Sequence, residues 1–114
     1  MEFQKSYSLE DRKNTSQRIK DNFPNRIPVI VSVGDKKNMQ LNKHKFITTN
    51  DITLGQFLSK LRQQIKCNEK QAIYINTDKG IFPPISILMQ LLYDKHKNDD
   101  GFLYLVLNQE NTFG

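Results

Sequence analysis

Three observations predict an α+β fold built on a small mixed sheet. Past residue 24 the pattern runs strand, strand, helix, strand, helix, strand. The first of these strands is apolar almost without interruption, as a central strand is. Each of the two helical segments carries a one-sided apolar stripe suited to lying on a sheet. A hairpin, a helix crossing the sheet and a last strand returning to its middle describe a β-grasp. It would have four strands in a mixed sheet and two main helices, preceded by a helical extension.

Each element has its own signature. Residues 9–23 hold neither Pro nor Gly and are rich in Arg, Lys, Gln and Asp. Ser8 is the expected N-cap, and Glu10 and Asp11 suit the positive end of the helix dipole. Leu9, Ile19 and Phe23 are its main apolar residues, so this helix is expected on a surface with Ile19 exposed. Pro24 ends it; a weaker helical signal lies over residues 3–7. Ile27-Pro28-Val29-Ile30-Val31-Ser32-Val33 reads as the central strand, with Pro28 confined to its start because proline cannot donate to an interior ladder. After a turn at 34–38, Lys45-Phe46-Ile47-Thr48-Thr49 makes the second strand, an expected sheet edge with unpaired backbone groups.

Thr53-Leu54-Gly55-Gln56 has capping-box spacing. Leu54, Phe57, Leu58, Leu61 and Ile65 follow on one helical face. Ala72-Ile73-Tyr74-Ile75 is a short strand and Thr77-Asp78-Lys79-Gly80 a turn. Beyond Pro83-Pro84, the residues Ile87, Leu88, Leu91 and Leu92 form the stripe of the last helix. Asp99-Asp100-Gly101 turns the chain into the closing strand, 102–107. The organisation is therefore a helical extension (1–24), a core (25–107) and a flexible C-terminal tail (108–114).

Composition narrows the function. At 114 residues the chain is one domain. No apolar run is long enough to span a bilayer, no N-terminal signal pattern is present, and one cysteine, Cys67, excludes an intramolecular disulfide; together these point to the cytosol. The net charge of +5 comes entirely from residues 1–45, with ten Lys/Arg against five Asp/Glu. Such a skew fits an acidic partner (a headgroup layer, an acidic protein tail or nucleic acid) or ordinary solvated helix faces. The basic residues lack interleaved aromatics, so no nucleic-acid partner is expected. His44, His96 and Cys67 have no metal-like spacing, no carboxylate completes a nucleophilic pair, and no phosphate-binding glycine motif occurs. Neither enzymatic activity nor a cofactor is expected.

Specific motifs go further. Phe23-Pro24-Asn25-Arg26-Ile27-Pro28-Val29-Ile30-Val31 resembles the Tyr-Pro-Asp-Arg-Val-Pro-Val-Ile-Val run of the ubiquitin-like autophagy modifiers, the GABARAP and microtubule-associated protein light chain 3 family, also called the autophagy-related protein 8 family. Thr53-Leu54-Gly55-Gln56-Phe57 is similar to that family's Thr-Val-Gly-Gln-Phe. Leu92-Tyr93, Lys95-His96-Lys97 and Asp100-Gly101-Phe102-Leu103-Tyr104 match its last helix and strand, and Glu110-Asn111-Thr112-Phe113-Gly114 its processed C-terminus. The similarity spans essentially the whole chain in order and spacing.

The resemblance implies the ubiquitin fold and a cycle of lipid conjugation. An E1-like enzyme would adenylate the Gly114 carboxylate and pass it as a thioester to an E2-like enzyme. Phosphatidylethanolamine would accept it, tethering the protein to autophagosomal membranes from the cytoplasm. Phe113 and Thr112 would be gripped by conjugating enzymes or by the processing and deconjugating cysteine protease, with 108–113 as the tether. Whether the gene or a protease places Gly114 last is left open.

The resemblance also implies recruitment of autophagy receptors bearing an aromatic-x-x-aliphatic motif, added as a strand beside the second strand. The aromatic pocket would use Ile19, Pro28, Lys45, Ile47 and Phe102. The aliphatic pocket would use Phe46, Thr48, Ile52, Phe57 and Leu61, while Arg26, Lys43 and Lys45 would meet acidic flanks. Thr15, Thr48, Thr49, Lys60 and Gln64 depart from the family pattern and imply a more polar second pocket. The alternative is a non-conjugated basic adaptor binding microtubules through tubulin, or trafficking proteins.

Overall fold

The run of β-branched residues does become the centre of the sheet. The structure, a computed structural model, describes residues 2–34, 39–66 and 72–109. In chain order its elements are α1 (Glu2–Ser6), α2 (Leu9–Asn22), β1 (Arg26–Val33), β2 (Gln40–Leu41), β3 (Lys45–Thr49), α3 (Leu54–Arg62), β4 (Ile65–Lys66), β5 (Ile73–Thr77), α4 (Met89–His96) and β6 (Leu103–Gln109). The main sheet has the order β3-β1-β6-β5, with β1 antiparallel to β3, parallel to β6, and β6 antiparallel to β5. This is the β-grasp arrangement, a hairpin and a last strand inserted in the middle.

The strand pleat sorts the core into two clusters. Ile27, Val29, Val31 and Val33 of β1 and Leu103, Leu105 and Leu107 of β6 face one side, against α3 and α4. Ile30 and Tyr104 face the other, where Ile19 of α2 and Phe102 join them and Phe3 of α1 packs over the top. The Phe3 and Phe102 rings meet edge-on at 5.1 Å. Ile19 is therefore buried rather than exposed. It supplies this polar helix with its one apolar anchor on the sheet side.

Local chemistry explains the element ends. Thr53 accepts from the Gln56 N–H while the Gln56 side chain accepts from the Thr53 N–H, the reciprocal capping box. Ser8 caps α2 through the Asp11 N–H. Several expectations need correction. α2 ends at Asn22, with Phe23 as an exposed C-cap. α3 stops at Arg62, and Ile65 lies in β4, which pairs with β2 in a separate two-stranded ribbon.

The apolar stripe of α4 is Met89, Leu92 and Tyr93, whereas Leu88 and Leu91 are exposed. Leu88 keeps extended dihedrals as the N-cap and bridges Thr53, so the helical phase starts one residue later. β5 runs over Ile73–Thr77, a shift from the expected 72–75. β6 continues to Gln109, so Asn108 and Gln109 are strand rather than tether. Most of the 34–38 turn, Cys67 and residues 110–114 lie outside the described residues.

One buried ion pair docks α2 on the start of β6. Arg12 donates from Nη1 to Asp100 Oδ2 at 2.7 Å, Tyr104 donates its hydroxyl to the same oxygen, and the Phe102 N–H donates to Oδ1 at 2.9 Å. Ser16 donates to the Asp100 carbonyl. Gly101 has φ +88, and a Cβ there would collide with Ser16 Oγ, so glycine is required on both counts. Burial works against the Arg12 charge, but Asp100 and Tyr104 more than offset it and raise its pKa.

Burial foremost, then the bond to Asp100, pushes the Tyr104 phenol well above its ordinary value, against the opposing pull of Arg12. Burial likewise raises Tyr93. A phenol whose pKa is raised in the folded state contributes stability that is complete below its unfolded value of about 10 and lost as pH rises through the folded value. Thermal melts followed by circular dichroism should show Tm falling above about pH 10, with a shallower fall in Tyr104→Phe. Parallel slopes in the two proteins would contradict this account.

Candidate functional site

β3 is an edge of the main sheet, and its hydrogen-bonding phase decides which groups it offers. Val31 donates to the His44 carbonyl and Asn50 to the Asn25 carbonyl, both at the ends of the β1–β3 ladder. Residues 44, 46, 48 and 50 thus turn their backbone groups toward β1. By alternation, the N–H and C=O groups of Lys45, Ile47 and Thr49 face outward. Pro28, opposite Ile47, sits just before β6 begins its pairing with β1 at Val29 and Leu103, so its missing N–H costs the ladder nothing.

Side chains on this edge go to two faces. Phe46 belongs to the α3-side core, where it meets Phe57 edge-on at 5.9 Å, and Thr48 shares its side of the pleat. Ile47 packs on the α2-side cluster of Ile19, Ile30, Phe102 and Tyr104. Two pockets flanking β3 would therefore lie on opposite faces of the sheet. In an added strand, residues three apart also point to opposite faces, because the side-chain period is two. An aromatic residue and its partner three positions on match this geometry.

Between the outer edge of β3 and α3 lies a cavity of about 320 Å³. Its apolar lining is Phe46, Ile47, Phe57 and Leu61, beside Thr48 and Thr49. Arg26, Lys43, Lys60 and Gln64 complete it. The cavity thus brings together four of the five residues expected in the aliphatic pocket with two of the expected cations. Ile52 stays apart, packed on the main core with its carbonyl bonded to the Met89 N–H. On the other face, Ile19, Pro28 and Phe102 are buried, Ile47 is half-buried and Lys45 exposed. Phe113, Thr112 and Gly114 lie outside the described residues.

Lys60, Gln64 and Thr49 were legible as departures from a family pattern that make the second pocket more polar, and all three line this cavity. The signal was present for Lys60: Phe57, Lys60 and Leu61 follow i, i+3, i+4 spacing on α3, and Gln64 lies two residues past its end. The cations are held by rings rather than carboxylates. Lys43 Nζ lies 5.1 Å from the Phe46 centroid, and the Arg26 guanidinium 5.4 Å from that of Phe23. Among the described residues the one salt bridge is Arg12–Asp100, neither of which lines this groove.

Comparison with known proteins places these features in context. The family profile described as "Autophagy protein Atg8 ubiquitin like" matches residues 11–114. Autophagy-related protein 8 of Schizosaccharomyces pombe is 43% identical over 114 residues, covering 99% of this chain and 93% of the relative. Its namesake from Saccharomyces cerevisiae is 41% identical over 113 residues, covering 98% and 96%. Among solved structures, Trypanosoma brucei ATG8 superposes with a TM-score of 0.88 at 31% identity, covering 100% of this chain and 98% of that one. Plasmodium falciparum Atg8, solved in complex with a Plasmodium falciparum Atg3 peptide, gives 0.83 at 27% identity, covering 95% and 98%.

Proposed function

The chain belongs to the Atg8 family of ubiquitin-like autophagy proteins, and from that premise we propose that it is a lipid-conjugated modifier that recruits partners through the β3 edge. Gly114 is the acyl donor, passed by E1-like and E2-like enzymes to phosphatidylethanolamine on autophagosomal membranes. Phe113 and Thr112 are the residues those enzymes and the deconjugating protease grip. Receptors with a motif of the aromatic-x-x-aliphatic spacing pair with β3, placing the aromatic residue by Ile47 and Lys45 and the residue three positions on over α3. The Atg3 peptide held by the Plasmodium relative supports a peptide-binding role toward an E2-like partner.

The observation that carries this reading is the edge of Lys45, Ile47 and Thr49, unpaired among the described residues, beside a groove with cations at both ends. Main-chain bonds to such an edge supply affinity, and alternate side-chain pockets supply specificity. Incubation with E1-like and E2-like enzymes, ATP and phosphatidylethanolamine vesicles should give an ATP-dependent adduct that floats with the vesicles. If no adduct forms while partners are still bound, the protein is an unconjugated adaptor.

The docking half has its own variant. Ile47→Pro removes one outward N–H while leaving the β1 ladder intact. Motif-peptide affinity, read by isothermal titration, should fall at least tenfold, roughly the loss of one or two main-chain bonds. Unchanged affinity in a folded variant would rule out strand addition on β3.

A further inference from the structure

The groove under β3 carries a cation, Lys60, beyond the Arg26 and Lys43 already assigned to acidic flanks of a bound motif. Its floor residues Phe46, Phe57 and Leu61 are 8%, 2% and 1% exposed, so an entering methyl group finds little apolar surface still open to water. Around that floor stand Arg26, Lys43 and Lys60, and among the described residues no Asp or Glu lines the cavity. Among the described residues none of the three has a carboxylate within salt-bridge distance. Lys60 projects from the same face of α3 as Phe57 and Leu61, on the side where the residue three after the aromatic would point.

We propose that this pocket takes an acidic side chain, so that the preferred peptide is aromatic-x-x-Glu or aromatic-x-x-Asp rather than aromatic-x-x-aliphatic. The proposal rests on the edge-strand reading above and names the class of partner it selects. The carboxylate sits against Lys60, with Lys43 and Arg26 adding to the local potential from the two ends of the groove. A cluster of cations over a low-dielectric floor rewards one opposite charge more than an isolated surface pair does. Gln64 also lines the cavity, and its amide is a further donor there. A lipid headgroup would also answer these charges, but the adjacent unpaired strand edge gives a peptide main-chain bonds that a headgroup cannot make.

The test uses the full chain and three peptides identical except at the third residue after the aromatic: Glu, Gln or Leu. Isothermal titration at about 50 mM salt should find the Glu peptide about fivefold tighter than the Gln peptide, with the ratio shrinking toward one at about 0.5 M. Lys60→Leu should abolish the Glu advantage and strengthen the Leu peptide. Lys60→Gln should abolish the Glu advantage without that strengthening.

If the Leu peptide binds tightest to the unaltered protein and Lys60→Leu changes no ranking, the acidic preference is wrong. Loss of that binding in Ile47→Pro would then show that docking on β3 survives. If none of the three peptides binds, both readings fall. Lys60-dependent sedimentation with phosphatidylserine vesicles, with no preference for the Glu peptide, would assign the cations to a membrane and overturn the proposal.

Discussion

Asp100→Ala is expected to cost about 3–5 kcal/mol of stability, the range for removing one member of a buried ion pair. Asp100 is 1% exposed and its two oxygens serve three donors: Arg12 Nη1, the Tyr104 hydroxyl and the Phe102 N–H. Truncation strands all three at once, and one of them is a full charge whose own side chain is only 12% exposed. A domain of this kind has about 5–15 kcal/mol in total, so the variant should be largely destabilised in urea titrations. Arg12→Met with Asp100→Asn should lose much less than the sum of the single changes, because neither orphan charge remains. A loss in Asp100→Ala under about 1 kcal/mol would mean water replaces the network at little cost. The consequence reaches the site. α2 brings Ile19 against Phe102 and Ile30, the packing on which Ile47 rests.

The parts of this molecule visible in the sequence are those set by neighbours along the chain. The Thr53–Gln56 capping box, the β-branched run of β1 and the position of Pro28 at its start all follow from local chemistry. The α2-side cluster does not. Ile19 looks exposed on a polar helix until Phe102 and Ile30 arrive from the sheet to cover it. The Arg12–Asp100 pair joins residues 88 positions apart, which no local pattern announces.

β2 and β4 are two residues each, below the length at which alternation can be read. The phase of α4 slipped because Leu88 is apolar yet serves as an extended N-cap. For the candidate site, the edge strand and most of the α3-side pocket were legible as family positions. Lys60 and Gln64 were legible as departures making that pocket more polar, but that both line one groove with Arg26 and Lys43 is a tertiary fact.

Gly114→Ala should abolish the lipid adduct while leaving the fold untouched. The pairing of β6 runs to Gln109, so five residues, 110–114, follow it to the proposed acyl donor. Five residues span at most about 18 Å when extended, so on the proposed reading the activating enzymes would close near the body of the domain. A crowded channel of that kind favours a residue without Cβ, which reaches backbone conformations closed to alanine. Misplacing a reacting carbonyl by about 1 Å is enough to cost a hundredfold in rate. Adduct formation in the reconstituted reaction should therefore drop by about two orders of magnitude or more. Urea midpoints should shift by no more than about 0.5 kcal/mol, since the substitution lies past the last strand.

Phe113→Ala separates recognition from chemistry. Loss of a gripped aromatic should raise the half-saturating concentration of the modifier more than it lowers the maximal rate. Should Gly114→Ala be conjugated as fast as the unaltered chain, the acyl donor is not Gly114. The β3 edge would then be the chain's working surface on its own, and the unconjugated adaptor would be the reading to carry forward.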